Sequence, residues 1–121
     1  MWVKSIKNIK PVIDTPRLSL TEIVHHDKDK INAPISIARS KIADYMNPRK
    51  SESEEICIIL EGEGKLYVLG LDARDVKKDD VIYIEPGEMY HLENHNPKQP
   101  LECMHITYPA WQEKLEKEIK L

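Results

Sequence analysis

Two short stretches hold the side chains best suited to chemistry. Residues 84–94, IEPGEMYHLEN, place Tyr90, His91 and two glutamates just past a Pro-Gly turn. Residues 54–60, EEICIIL, put Glu55 near the head of an apolar run. Imidazole and carboxylate are ligands for transition metals, whereas a carboxylate beside a phenol is an acid–base pair. One step along a strand turns a side chain to the opposite face, so Tyr90 and His91 share a face only across a bulge. Cys103 and His105 stand two apart in LECMHITY, on one face of a strand, where a satisfied, half-buried histidine is the better reading. His25, His26 and His95 fall in polar loops. Cys57 and Cys103 read as buried, reduced thiols, since no export signal precedes them.

The elements that must position these groups are strands. The chain has 121 residues, enough for one domain over 1–121. It contains no Phe, and its core must rest on β-branched Ile and Val with Leu, which suit pleated surfaces. Apolar alternation predicts strands at 17–24 and 35–42, followed by a polar loop over 44–54. The run 55–60 predicts a strand buried on both faces. The EGEG stretch at 61–64 predicts a tight turn leading to an antiparallel partner at 65–70, a hairpin. Further strands are expected near 73–76, 81–85, 88–94 and 101–108. Beyond Pro109 the period changes: Trp111, Leu115 and Ile119 recur every four residues and predict a short helix over roughly 110–121. Many short strands with frequent turns give an all-β sandwich or barrel with a core in about 17–109.

Net charge is −3 with 32% charged residues, without the basic face of a nucleic-acid binder. No apolar run approaches the roughly 20 residues of a membrane span. The expected setting is the cytoplasm, with neither membrane nor nucleic acid as partner.

Over residues 35–109 the chain resembles the small single-domain cupins, and most of the likeness lies in two motifs. The first family motif runs Gly, five residues, His-x-His, three or four residues, Glu, six residues, Gly. Glu55 and Gly62 keep its second half, while its histidines would fall at Pro48 and Lys50 or at Arg49 and Ser51. The second runs Gly, five residues, Pro-x-Gly, two residues, His, three residues, Asn. Ungapped, it places Gly87 and Asn94 at the family positions and Tyr90 where the histidine belongs; an alternative register keeps Pro86 and His91 instead. The resemblance implies a double-stranded β-helix, the cupin jelly-roll barrel, and a homodimer formed through an outer sheet.

It also implies a metal site of three histidines and one glutamate, which this chain retains only in part. The expectation is therefore a degenerate metal site with no metal or other cofactor. A small polar ligand, a sugar or an organic acid, would bind in the barrel beside Glu55, Tyr90, His91, Arg39 and Lys41. A metal-independent sugar isomerase or epimerase, with Glu55 or His91 as base and Tyr90 as acid, is the second reading. A metalloprotein using Glu55, His91 and His105 is the third.

Overall fold

The structure is a computed structural model and describes residues 1–120. In chain order the strands are β1 (Ile13–Asp14), β2 (Leu18–His25), β3 (Ser36–Ile42), β4 (Arg49–Ser51), β5 (Glu54–Glu61), β6 (Glu63–Val68), β7 (Arg74–Lys77), β8 (Val81–Ile84), β9 (Met89–Asn94), β10 (Leu101–Tyr108) and β11 (Glu116–Glu118). One turn of helix, α1 (His26–Asp29), interrupts the connection from β2 to β3. The strands form two antiparallel sheets. One has six strands in the order β1-β2-β3-β10-β5-β8, the other five in the order β11-β4-β9-β6-β7. The sheets face each other and bury a core of Ile42, Ile59, Leu92 and Leu101 with the free thiols Cys57 and Cys103. This is the jelly-roll barrel that the resemblance implies, and it narrows the sandwich or barrel expected from the strand pattern.

Alternation along each strand decides what the barrel holds. On β5, Cys57 and Ile59 point inward and Ile56 is 40% exposed. On β10, Leu101, Cys103 and His105 point inward. On β9, Tyr90 and Leu92 are buried while His91 lies between them on the other face.

Several expectations need correction. Strand β5 is buried on one face only, its outer face carrying the exposed Ile56, and His25 is a buried end residue of β2 and lies outside any polar loop. The EGEG stretch is not a hairpin turn: β5 and β6 belong to different sheets and do not pair. Gly62, at φ +88°, kinks the chain from one sheet to the other, and a Cβ there would lie 2.7 Å from the Pro100 carbonyl oxygen. A Cβ on Gly64 would lie 2.1 Å from the Glu93 carbonyl oxygen. Both glycines serve close backbone approach at a barrel corner.

The C-terminal segment is not a helix. It forms a single 3-10 turn, Glu113–Leu115, and then β11, which adds to the edge of β4. Residue 121, the end of the predicted helix, lies outside the described residues. A helix of a dozen residues gains little by itself in water, whereas an open strand edge offers unpaired backbone groups. The amides of Glu52 and Ile119 bond the carbonyls of Leu115 and Pro48, both at 2.8 Å. His25 Nε2 meets the Trp111 carbonyl at 2.8 Å and anchors the segment's start. Finally, β4 lies inside the stretch read as a loop, because three polar residues carry no periodicity to detect.

Candidate functional site

A cavity of about 640 Å³ opens between the sheets. Its polar floor is built from strands of both. Glu55 comes from the start of β5, His105 from β10, Arg49 from β4 and Tyr90 from β9; β4 and β9 are paired so that Arg49 sits directly opposite Tyr90. The Arg49 guanidinium donates to Glu55 Oε1 at 3.2 Å and to the Tyr90 hydroxyl at 2.9 Å, and its other terminal nitrogen lies 3.4 Å from Glu116 on β11. The Tyr90 hydroxyl donates a short hydrogen bond to Glu55 Oε2. His105 Nδ1 lies 3.1 Å from the same oxygen, and its Nε2 lies 2.7 Å from Ser40 Oγ. A carboxylate only accepts, so Nδ1 carries a proton and, in the neutral ring, Nε2 accepts from the serine.

The charges in this network lock one another. Burial alone would raise the Glu55 carboxyl, but Arg49, then His105 and the Tyr90 hydroxyl, outweigh it and bring it down to about 2. Burial works against the Arg49 charge too, yet Tyr90, Glu55 and Glu116 raise its affinity for the proton above that of a free guanidinium. Burial and the Glu55 charge push Tyr90 well above its ordinary value against the opposing pull of Arg49. The floor thus holds an ionised carboxylate, a charged guanidinium and a protonated phenol.

The residues named from sequence divide. Glu55 and Tyr90 meet in the cavity. His91 faces away, stacked on Tyr67 with ring centroids 4.6 Å apart and 3.5 Å from Glu93, so it cannot join Glu55 and His105 around one ion. Arg39 and Lys41 lie on the outer face of β3 and contact Glu102 at 3.1 and 3.5 Å. They are not partners of Glu55; Arg49 and His105 are. Even and odd positions of β3 face opposite ways, and the interior positions are Ser36, Ala38 and Ser40. Arg49 was visible in sequence only as a residue unsuited to a motif position, and Glu116 gave no signal.

The residues present do not fit the metal cage implied by the resemblance. Arg49, Ser51 and Tyr90 stand where imidazoles would be needed, and a guanidinium within 3.2 Å of Glu55 repels a second cation. A different donor set, Cys57, Cys103 and His105, lies with ligand atoms within 4.8 Å of one another. The Cys103 hydrogen bond and burial raise the Cys57 thiol well above its usual value, and both His105 ring nitrogens already have partners. This cluster is packed as core.

Two facing antiparallel sheets with a polar-floored cavity between them define a jelly-roll barrel. Residues 44–107 match the Cupin domain family, and the chain belongs to it. An uncharacterized protein of Methanocaldococcus jannaschii is 42% identical over 59 residues, 49% of this chain; the match spans only 46% of that relative's length. Among solved structures, ectoine synthase from P. lautus is similar with a TM-score of 0.78 at 18% identity, over 99% of this chain and 91% of that one. Pac13 of Streptomyces, a nucleoside dehydratase, is similar with a TM-score of 0.79 at 14% identity, over 100% and 92%. A predicted oxalate decarboxylase from Thermotoga maritima is similar with a TM-score of 0.74 at 21% identity, over 88% and 97%. At these identities the likeness establishes the fold alone.

Proposed function

We propose that this cupin has a degenerate metal site and binds a small polar ligand in its barrel. The observation that carries this reading is Arg49, which bridges Glu55 and Tyr90 within 3.2 Å and so supplies, as a side chain, the positive charge that a bound ion would bring. The cavity has the volume of a small-molecule site, and Ser36, Ser51, Ser53 and Thr107 are among its lining residues, a polar surface that suits a hydroxyl-bearing compound such as a sugar. An organic acid is the other class considered, and it would have to share Arg49 with Glu55 and Glu116.

Two measurements test the reading. Elemental analysis of the purified protein should find no stoichiometric transition metal; one metal per chain overturns it. A ligand that raises Tm should lose most of its effect in Glu55→Gln and Tyr90→Phe. Unchanged shifts in both variants would place binding elsewhere.

The hydrogen bond between Tyr90 and Glu55 favours a second reading, an isomerase or epimerase acting without metal. Tyr90 is held protonated and positioned to donate, the role of a general acid, and Glu55 or His105 is the group that would receive a proton. Its test is solvent deuterium exchange into a bound sugar at the carbon next to the carbonyl, absent in Tyr90→Phe.

The protein acts, on this proposal, as a homodimer in the cytoplasm, consistent with its free, buried thiols. The supporting feature is the outer face of the six-stranded sheet. Val24, Ile37, Ile106, Ile56 and Tyr83 stand in register across five strands. A second row, Met104, Ile58 and Val81, runs beside it. Arg39, Lys41 and Glu102 flank these rows with both signs of charge, as a two-fold contact between identical faces requires. Among the described residues no helix is long and apolar enough to cross a membrane.

A further inference from the structure

We infer that the ligand of this cavity carries a positive charge: a small organic amine, or an amine-bearing polyol, in preference to a neutral sugar or an acid. This inference rests on the cavity being the ligand site. Seven glutamates line it against three cations, an excess of four negative charges. The whole chain carries −3, so everything outside the cavity sums to about +1, and the acidity of the molecule is concentrated on its concave surface.

The placement of the charges is as telling as their number. At the floor one guanidinium serves two carboxylates, Glu55 at 3.2 Å and Glu116 at 3.4 Å. All three side chains are less than a fifth exposed, so the least hydrated part of the site retains negative charge. Three of the five N–H groups of Arg49 already serve Glu55, Tyr90 and Glu116, so a carboxylate ligand at Arg49 would stand beside two carboxylates and be repelled by them. At the rim Lys28 is committed to Glu22 at 2.8 Å, and burial does little there: the hydrogen bond to Glu22 raises the lysine's hold on its proton. Glu85 and Glu113 make no hydrogen bond or ion pair through their carboxylates with any described residue. A concave wall that is partly apolar focuses the field of such groups, drawing cations in and repelling anions. The apolar wall of Val12, Ile13 and Leu20 takes a hydrocarbon or ring body. Trp111 lines the same cavity, and an indole is a good neighbour for an ammonium group.

The experiment uses two trios of probes of similar size, each with a cationic, a neutral and an anionic member: glucosamine, glucose and glucuronate; 1,4-diaminobutane, 1,4-butanediol and succinate. Each is titrated into the full-length protein at low salt, and Tm is followed. The expected result is stabilisation by the amine of at least one trio and none by its acid, with the effect shrinking as salt is added. Glu85→Gln/Glu113→Gln should weaken amine binding by roughly fivefold, the range for exposed charge pairs. Glu102→Gln, which removes one charge from the outer face, should leave it unchanged. A neutral or acidic probe that stabilises more than its amine overturns the inference; if Tyr90→Phe abolishes that probe's effect, the ligand site itself stands. An amine effect indifferent to Glu85→Gln/Glu113→Gln overturns the inference, as does an equal effect of calcium chloride alone. No response to any of the six probes removes the inference and the ligand site together.

Discussion

The Glu55 carboxyl lies 3.2 Å from Arg49 and, in spite of its burial, is a much stronger acid than the free side chain. Its value is about 2 in the folded protein against 4.5 in the free side chain, so on acidification the unfolded chain takes up the proton first. The stabilisation is complete above about 4.5 and is lost as pH falls toward 2; it amounts to about 3 kcal/mol. Urea unfolding between pH 6 and pH 2.5 should show this loss, and Glu55→Gln should flatten the acid limb. The complementary substitution, Arg49→Met, leaves Glu55 and Glu116 without their cation. It should cost about 3 kcal/mol, the scale for removing one partner of a buried ion pair. Combining it with Glu55→Gln should recover part of the loss in a double-mutant cycle. Equal additive losses in the cycle would show that the two side chains do not interact.

The elements place these groups through register, and register is where sequence reading succeeded and failed. Strands with clear alternation, such as 35–42 and 101–108, were legible to within a residue or so because one face is packed. The inward turn of Tyr90 and outward turn of His91 follow from the same rule once Gly87 and Asn94 fix the phase. The tail misled because a spacing of four is even. Trp111, Leu115 and Ile119 lie on one face of a helix, and of a strand as well. The EGEG stretch misled because a glycine needed for a turn and one needed for close approach are indistinguishable in sequence. Arg39 and Lys41 have the charge to pair with Glu55, but their odd positions on β3 put them opposite the inward-facing serines. Gly64→Ala tests the corner directly: with a Cβ at 2.1 Å from the Glu93 carbonyl oxygen, it should destabilise by roughly 2 kcal/mol or more in urea unfolding. Gly70→Ala meets nothing within 4 Å and bears only the cost of its positive φ, about 1 kcal/mol.

On the scale of the whole molecule, the two faces of the six-stranded sheet have opposite characters. The inner face closes the core and one wall of the cavity. The outer face carries apolar rows of which Ile56 is 40% and Tyr83 54% exposed. This is the apolar area that the proposed dimer would bury. Ile56→Glu/Ile106→Lys should convert the proposed dimer to a monomer by light scattering while leaving the β-rich circular dichroism intact. A parent protein that is already monomeric at tens of micromolar would dismiss the dimer. The barrel and the site can be read separately, since neither row contributes a residue to the cavity.

The chain has only two tryptophans, and their placement has a practical result. Trp111 lines the cavity with its indole N–H on Glu116, while Trp2 lies 48% exposed near the start of the chain. A Trp2→Phe protein therefore carries a single tryptophan, at the mouth of the barrel, which can be excited apart from the five tyrosines. Its emission should shift when a compound enters the proposed site, so binding can be screened by colour without any label.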